Sequence, residues 1–319
     1  MNDQFLEVKK GLPYLGVGLG LRRELASDTF ANIDRIDWLE IVPENYMGLG
    51  GAARERLNKA NSLVPLVSHG INLSLGATDE LNQDYLVNIK GLLDRVDAPW
   101  WSDHLCFTSF GGTYMHDLLP LPFTREAVRH LVERIKIVQQ RVERPFLIEN
   151  ISYYMVMPGS EMSEAQFLSE ILEQSDCGLL FDVNNVYVNS INHGFNPVDY
   201  LDQIPLERAV QVHVAGHSDQ AGDFNTAIDT HGSDVIEPVY SLLCETLKRS
   251  DVRAVMLERD QNYPQFSSLL NELDRIRQIA KDASPRLLSS LNEAGGPLGK
   301  DQQRRDQLRR DQHVTVLTQ

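Results

Sequence analysis

The sequence predicts a closed (β/α)8 barrel, a TIM barrel in architecture, and three observations carry that expectation. Eight short apolar runs recur along the 319 residues, helical patterns fill the intervals, and seven of the runs end in a possible metal ligand. Alternating strand and helix signals build a parallel sheet, and eight alternations suffice to close it.

The runs are Leu15 to Gly18, Trp38 to Val42, Pro65 to His69, Trp100 to His104, Pro145 to Glu149, Leu179 to Asp182, Ala209 to Val214 and Ala254 to Glu258. The clearest helical pattern is Thr124 to Val142, with Val128, Leu131, Val132, Ile135 and Val138 on one face. Thr124 suits the N-cap, and Glu126 adds negative charge in the first turn. Similar stretches run from Ala53 to Leu63, Asp79 to Val96, Ser163 to Gln174, Val235 to Lys248 and Pro264 to Ala283, and read as outer barrel helices. GVGLG at Gly16 to Gly20 lacks the third glycine of a dinucleotide fingerprint, since Leu21 stands there. It reads as a tight turn after the first strand.

A chain of this length is ordinary for one barrel domain, placed at 1–283. Beyond Ala283 a Pro/Gly break is followed by alternating charge, so 284–319 reads as a surface tail, partly disordered, or alternatively as a docking arm. The net charge of −15 disfavours partners held by phosphate neutralisation, so nucleic acid is not expected. Cys106, Cys177 and Cys244 are odd in number and widely spaced, fitting neither a disulfide framework nor a zinc ribbon. With no apolar h-region at the N-terminus and no run of eighteen apolar residues, the expectation is a soluble, cytoplasmic protein without a membrane segment.

In such a barrel the reacting groups sit at the C-terminal ends of the strands. The last polar residues of the runs are Glu40, His69, His104, Glu149, Asp182, His213 and Glu258. The loop after His213 adds His217 and the pair Asp229-x-His231. Three or more carboxylates converging on one cavity repel unless cations lie between them. Histidine with Asp and Glu and no thiolate suits iron, manganese or zinc, without choosing among them. The ligands exceed the needs of one ion and imply two or three, with Glu149, near the middle of the strand order, as the candidate bridge.

Other residues carry open readings. Asn150, Asn184 and Arg259 are candidates to hold carboxylates by hydrogen bonds, with Arg259 alternatively pairing Asp260. Glu40, Glu44 and Asn45 share the rim, either orienting a substrate or capping a helix. His217 is a ligand, a hydrogen-bond partner or a substrate contact. Tyr153, Tyr154 and Tyr187 line a groove or pack against the rim. Asp103 points away from His104 by strand alternation. Cys106, Trp100 and Trp101 read as packed residues.

The words around these ligands are more specific than the ligands themselves. GVGLGLR (16–22), SHGINLSLG (68–76), SDHLCF (102–107), DLLPLPFT (117–124), IENISYY (148–154), FDVNNVYVN (181–189), HVAGH (213–217), DTHG (229–232) and LERD (257–260) occur in that order. Over roughly residues 10 to 280 the chain resembles the multinuclear non-heme iron-dependent oxidative (MNIO) enzymes of the xylose-isomerase-like barrels. The resemblance implies His69, His104 and Glu149 on a first iron, and Glu149, Asp182, His213 and Glu258 on a second. Asn185, Asp229 and His231 would form a third, looser site. It singles out Glu149, Asp182 and His213 as catalytic.

It further implies a mixed-valent iron pair, O2 as co-substrate, and modification of a residue, often Cys, in a ribosomally made precursor peptide, with a separate leader-recognition partner protein. Asn185 stands where hydrolytic zinc relatives such as endonuclease IV are expected to carry histidine, which favours the oxidative family. A metal-dependent hydrolase or phosphodiesterase, a sugar isomerase or epimerase, and a non-enzymatic metal sensor are the competing readings.

Overall fold

A computed structural model describes residues 3–48, 50–219 and 226–291. In chain order its elements are α1 (Gln4–Lys10), β1 (Gly16–Gly20), α2 (Ala26–Ala31), β2 (Leu39–Ile41), α3 (Gly51–Asn61), β3 (Leu66–Gly70), α4 (Gln83–Val96), β4 (Trp101–His104), β5 (Phe107–Phe110) and β6 (Thr113–Leu119). They continue with α5 (Arg125–Val142), β7 (Phe146–Glu149), α6 (Glu164–Ser175), β8 (Gly178–Asp182), α7 (Val183–His193), α8 (Pro197–Leu201), β9 (Ala209–Ala215), β10 (Ser218–Asp219), β11 (Ala227–Ile228), α9 (Glu237–Arg249), β12 (Ala254–Glu258) and α10 (Phe266–Ala283). Eight parallel strands close in the order β1-β12-β9-β8-β7-β4-β3-β2. A TIM barrel is therefore present, and each expected strand falls on one of its staves.

Strand alternation divides the barrel into two layers. Outward residues such as Val17, Leu39, Ile148 and Leu257 meet the helices in the main core. Inward residues at the N-terminal end, among them Trp38, Val67, Trp100, Leu147, Leu180 and Met256, form a separate apolar floor that Phe5 of α1 joins. Two residues further along the same strands the inward positions turn polar, at Glu40, His69, Ser102, Glu149, Asp182 and Glu258. A dry floor beneath a polar tier gives the site a rigid base.

The GVGLG segment is β1 itself, buried throughout, and not a turn after it. Val17 and Leu19 face outward, so the three glycines face inward. A Cβ on Gly18 would lie 2.4 Å from the Trp38 indole, and one on Gly20 would lie 2.9 Å from the Arg22 guanidinium. The glycines leave room for these two large side chains.

Local signals fix the helices. Thr124 accepts from Ala127 N–H, Asn82 from Tyr85 N–H, and Ser163 forms a capping box with Gln166. α7 was not foreseen, because the valines of VNNVYV favour strand over helix. Asp182 caps it, accepting from Asn185 N–H at 2.7 Å. The β5–β6 hairpin was also missed, although its Gly111-Gly112 turn, both at positive φ, was a usable signal. A 3-10 segment, Pro285–Leu291, buries Leu287 against the barrel, so packing extends past Ala283. The rest of the expected tail, 292–319, lies outside the described residues. Among the described residues no helix is long and apolar enough to cross a membrane.

Gly18→Ala should cost about 1–3 kcal/mol in urea unfolding, as overpacking against an immobile indole does. Gly91→Ala, in α4 with open space around it, should instead stabilise by about 0.5–1 kcal/mol. Equal effects would argue against the glycine face of β1.

Candidate metal centre

β3, β4 and β7 bring His69, His104 and Glu149 together. Glu149 Oε2 lies 3.0 Å from His69 Nε2 and 3.1 Å from His104 Nε2, and the two nitrogens are 3.2 Å apart. The Gly70 carbonyl, 3.1 Å away, takes the His104 Nδ1 proton and leaves the lone pair on Nε2. The other Glu149 oxygen, Oε1, faces His213 Nδ1 at 3.3 Å. His213 Nδ1 is also 3.1 Å from Glu258 Oε2, and Asp182 completes this second group. Glu149 thus stands between two ligand sets.

At the third expected position, Asp229 Oδ1 lies 2.7 Å from His231 Nε2. Asp182, His231 and Glu258 also approach closely enough to share an ion. Asn185 is buried there, its N–H on Asp182 and its amide NH2 on the Asn150 carbonyl. Asn184 donates to Asp229 Oδ1 at 2.8 Å, and Ser152 to Oδ2 at 3.2 Å. His217 sits behind this carboxylate, with Nδ1 2.8 Å from Asn184 Oδ1 and its ring against Tyr187. The preceding 220–225 lie outside the described residues.

Three expectations need correction. Glu40 is not at the rim: it is mid-strand and fully buried, with Oε2 2.9 Å from His213 Nε2. It orients the ring from below, and also closes with His213 and Glu258 as a further possible ligand group. Asn150 holds main chain and not a carboxylate, pairing with both Asp182 O and Asp182 N–H at 3.0 and 2.9 Å. Arg259 turns away from the cavity to Asp234 and Glu272. Strand alternation decides this, since Glu258 already takes the inward position.

Two site residues were missed. Arg22 binds Glu258 Oε1 at 3.1 Å and Asp260 Oδ1 at 2.7 Å. Gln211 donates to Glu40 and accepts from the Trp100 indole N–H at 2.8 Å. Gln211 stands two residues before His213, on the same face of β9, which was signal enough. Asp103 does point away, accepting from Leu73 and His104 N–H, and burial lifts it to about 8. Cys106 is fully buried, which pushes its thiol up. Tyr153 is buried and stacks on His193. Tyr154 is half-exposed, and its hydroxyl oxygen accepts from Asp229 N–H at 3.3 Å.

Above the ligands opens a cavity of about 520 Å³, walled by Arg22, Glu44, Asn45, His69, His104, Asp229, His231, Glu258 and Asp260 and, from the hairpin, Tyr114 and His116. Glu44 is fixed there by Ile71 N–H, Asn72 N–H and the Tyr85 hydroxyl.

Electrostatics describe a site that takes protons in place of cations. Burial opposes charge on His69, yet Glu149 and Glu40 outweigh it and hold the imidazole up at about 9. For His104 burial wins over Glu149 and pulls it down to about 4. Burial and the Glu149 charge push Asp182 well above the usual carboxylate range. Burial also disfavours charge on His213 and His231, but the carboxylates around each raise them well above the ordinary value. Among the described residues, Glu149 Oε2, Asp182 Oδ2, Asn185 Oδ1, His213 Nδ1 and His231 Nε2 are buried without a hydrogen-bond partner. Orphaned polar atoms are uncommon in folded interiors. Five of them converging on one mouth, two imidazole nitrogens, two carboxylate oxygens and an amide oxygen, fit a set of divalent cations that displace the protons the imidazoles hold.

Cation binding here should release protons. Because His69 must shed a proton held up to about pH 9, Mn2+ affinity should rise from pH 7 towards 9. Calorimetry in buffers of different ionisation heat measures both effects. An affinity independent of pH, with no proton release, would contradict the assignment.

The family model for the RiPP precursor modification enzymes MbnB/TglH/ChrH matches residues 16–281. A UPF0276 protein of Shewanella sediminis is 43% identical over 275 residues, covering 86% of this chain and 97% of that protein. One from Pseudomonas aeruginosa is 40% identical over 277 residues, covering 86% and 96%. Among solved structures, a xylose isomerase-like TIM barrel protein from Mycobacterium smegmatis in complex with magnesium superposes with a TM-score of 0.57 at 9% identity, covering 86% of this chain and 98% of its own. D-psicose 3-epimerase from Clostridium cellulolyticum superposes with a TM-score of 0.52 at 11% identity, covering 86% and 99%. At those identities the likeness is one of fold alone. The sequence matches go further: this chain belongs to the MbnB/TglH/ChrH family of RiPP precursor modification enzymes, the multinuclear non-heme iron-dependent oxidative enzymes.

Proposed function

We propose that the protein is an iron- and O2-dependent oxidase that modifies a residue, often Cys in this family, of a ribosomally synthesised precursor peptide. The observation that carries the reading is Glu149, whose two oxygens face two imidazole sets beneath one open cavity. His69, His104 and Glu149 would hold the first iron. Glu149, Asp182, His213 and Glu258 would hold the second, with Asn185, Asp229 and His231 at a third.

Bound iron would supply O2 activation and removal of a hydrogen from the substrate. The chain's own residues do the rest. Glu40 and Gln211 lock the His213 ring from below, so that Nδ1 faces the cavity. Asn184 and Ser152 fix both oxygens of Asp229. The apolar floor of Trp38, Trp100 and Leu147 closes the barrel beneath the ligands and excludes water from that side. Tyr114 and His116 of the hairpin, with half-exposed Tyr154 nearby on the rim, offer ring surfaces to a peptide entering from above. Such an enzyme acts with a separate leader-recognition protein, and a cytoplasmic location suits substrates made by the ribosome.

A hydrolase would use the same ions to activate water, and an epimerase would need one ion and a pair of carboxylates. The amide at Asn185 and the number of ligands favour the oxidase over both.

Protein made in iron-57 medium and purified without oxygen should hold two or more irons, with a coupled ferrous/ferric pair in its Mössbauer spectrum. His213→Ala should abolish the coupled signal and lower O2-dependent turnover by about a hundredfold or more, since loss of a group that only orients a ligand already costs about 10–100-fold. Stoichiometric zinc, with no O2 uptake after iron reconstitution, would sink the reading in favour of hydrolysis.

A further inference from the structure

We propose that Arg22 is a positioning residue for the third cation position, acting on His231 through Asp260 while it holds one oxygen of Glu258, a ligand of the neighbouring second position. The inference rests on the multinuclear reading of this centre. It assigns a role to a residue outside the ligand set.

Arg22 stands two residues past the end of β1, and its guanidinium lies where a side chain on Gly20 would be. The side chain is only 12% exposed. Its two ion pairs are divided: Nη2 takes Glu258 Oε1 at 3.1 Å, and Nε takes Asp260 Oδ1 at 2.7 Å. Each carboxylate is left with one oxygen for the site. Glu258 turns Oε2 to His213 Nδ1 at 3.1 Å, and Asp260 turns Oδ2 to His231 Nδ1 at 3.1 Å.

The consequence falls on His231. Asp260 can only accept, so in the neutral ring that binds a cation it keeps the proton on Nδ1 and leaves the lone pair on Nε2. Asp260 N–H also donates to the His231 carbonyl at 2.9 Å, tying the loop to the end of β12 a second time. His231 needs that tie, because its backbone is in the left-handed region at φ 46°. Nε2 then faces Asp229 Oδ1 at 2.7 Å. With its lone pair on Nε2, His231 and Asp229 present two donor atoms to one point and are placed to share a cation.

Without the guanidinium, Glu258 is free to chelate with both oxygens and Asp260 loses its clamp. The first position shares none of these contacts: His69, His104 and Glu149 come from β3, β4 and β7 on another wall. Loss of Arg22 should therefore release one ion and spare the first. General destabilisation would not be selective in that way.

The test is anaerobic titration of the full chain with Fe(II), counting ions by calorimetry and by elemental analysis after desalting. Wild type should bind three ions. Arg22→Gln should weaken the third at least tenfold and leave the tightest within twofold, and Arg22→Lys, which keeps the charge but not the fork, should fall between. Asp260→Asn tests the same relay if Arg22→Gln does not fold, and should also lose the third ion selectively. A third ion held within twofold of wild type by the variants, a uniform loss of all ions, or a wild type with no third ion would each overturn the proposal. The measurement uses neither O2 nor peptide. A protein that binds three ions with this selectivity but consumes no O2 would retain the role of Arg22 and refute the oxidase.

Discussion

Glu149 carries a negative charge into a space shared with His69, His104 and His213, and much of the molecule serves to keep it there. Burial alone would drive that carboxyl to protonate, but three imidazoles hold it well below the usual carboxylate range. The same charge pushes Asp182 the other way. At an effective dielectric of about 20, two carboxylates about 4 Å apart repel by about 4 kcal/mol. Several such pairs cannot all remain ionised without positive charge between them, so the site is completed either by protons or by cations. A mouth built on this constraint is tuned to exchange one for the other.

Rigidity underneath makes that exchange specific. The inward face of β1 is bare glycine, which admits Trp38 into the floor and Arg22 into the wall. On the floor the Trp100 indole anchors Gln211, Gln211 anchors Glu40, and Glu40 anchors His213. Each link is a buried hydrogen bond, and loss of one partner would leave the next group unsatisfied. A ligand held this way reaches its metal without reorganising, which is how strand-end residues of a barrel support chemistry on mobile loops.

Much of this was legible from the chain. Eight apolar runs mark eight staves, and the last polar residue of each run names His69, His104, Glu149, Asp182, His213 and Glu258 for one mouth. What escaped notice followed physical lines. α7 was hidden because its valines favour strands, while the capping signal, Asp182, had already been read as a ligand. Arg259 was taken for Arg22 because sequence adjacency to Glu258 was weighed above strand alternation, and alternation puts neighbours on opposite faces. Glu40 reads as a rim residue only because the run Trp38 to Val42 holds no later polar residue, although Ile41 and Val42 carry the chain on past it. Arg22 reaches Glu258 from 236 residues away, a contact that only barrel closure creates.

The three candidate positions are unequally built. His69, His104, Glu149, Asp182 and His213 project from strands buried on both faces. Asp229 and His231 come from a loop, remain partly exposed, and depend on side chains from three other elements for their orientation. Local stability is lowest where few apolar contacts hold the backbone, and the loop end of the site is such a place. Asn185 supplies an uncharged oxygen on this side, so an ion there gains less Coulomb attraction than one beside Glu149. In the multinuclear reading proposed above, that asymmetry makes a strongly held pair beside a more weakly held third ion, whose residues Asp229 and His231 line the wall of the open cavity.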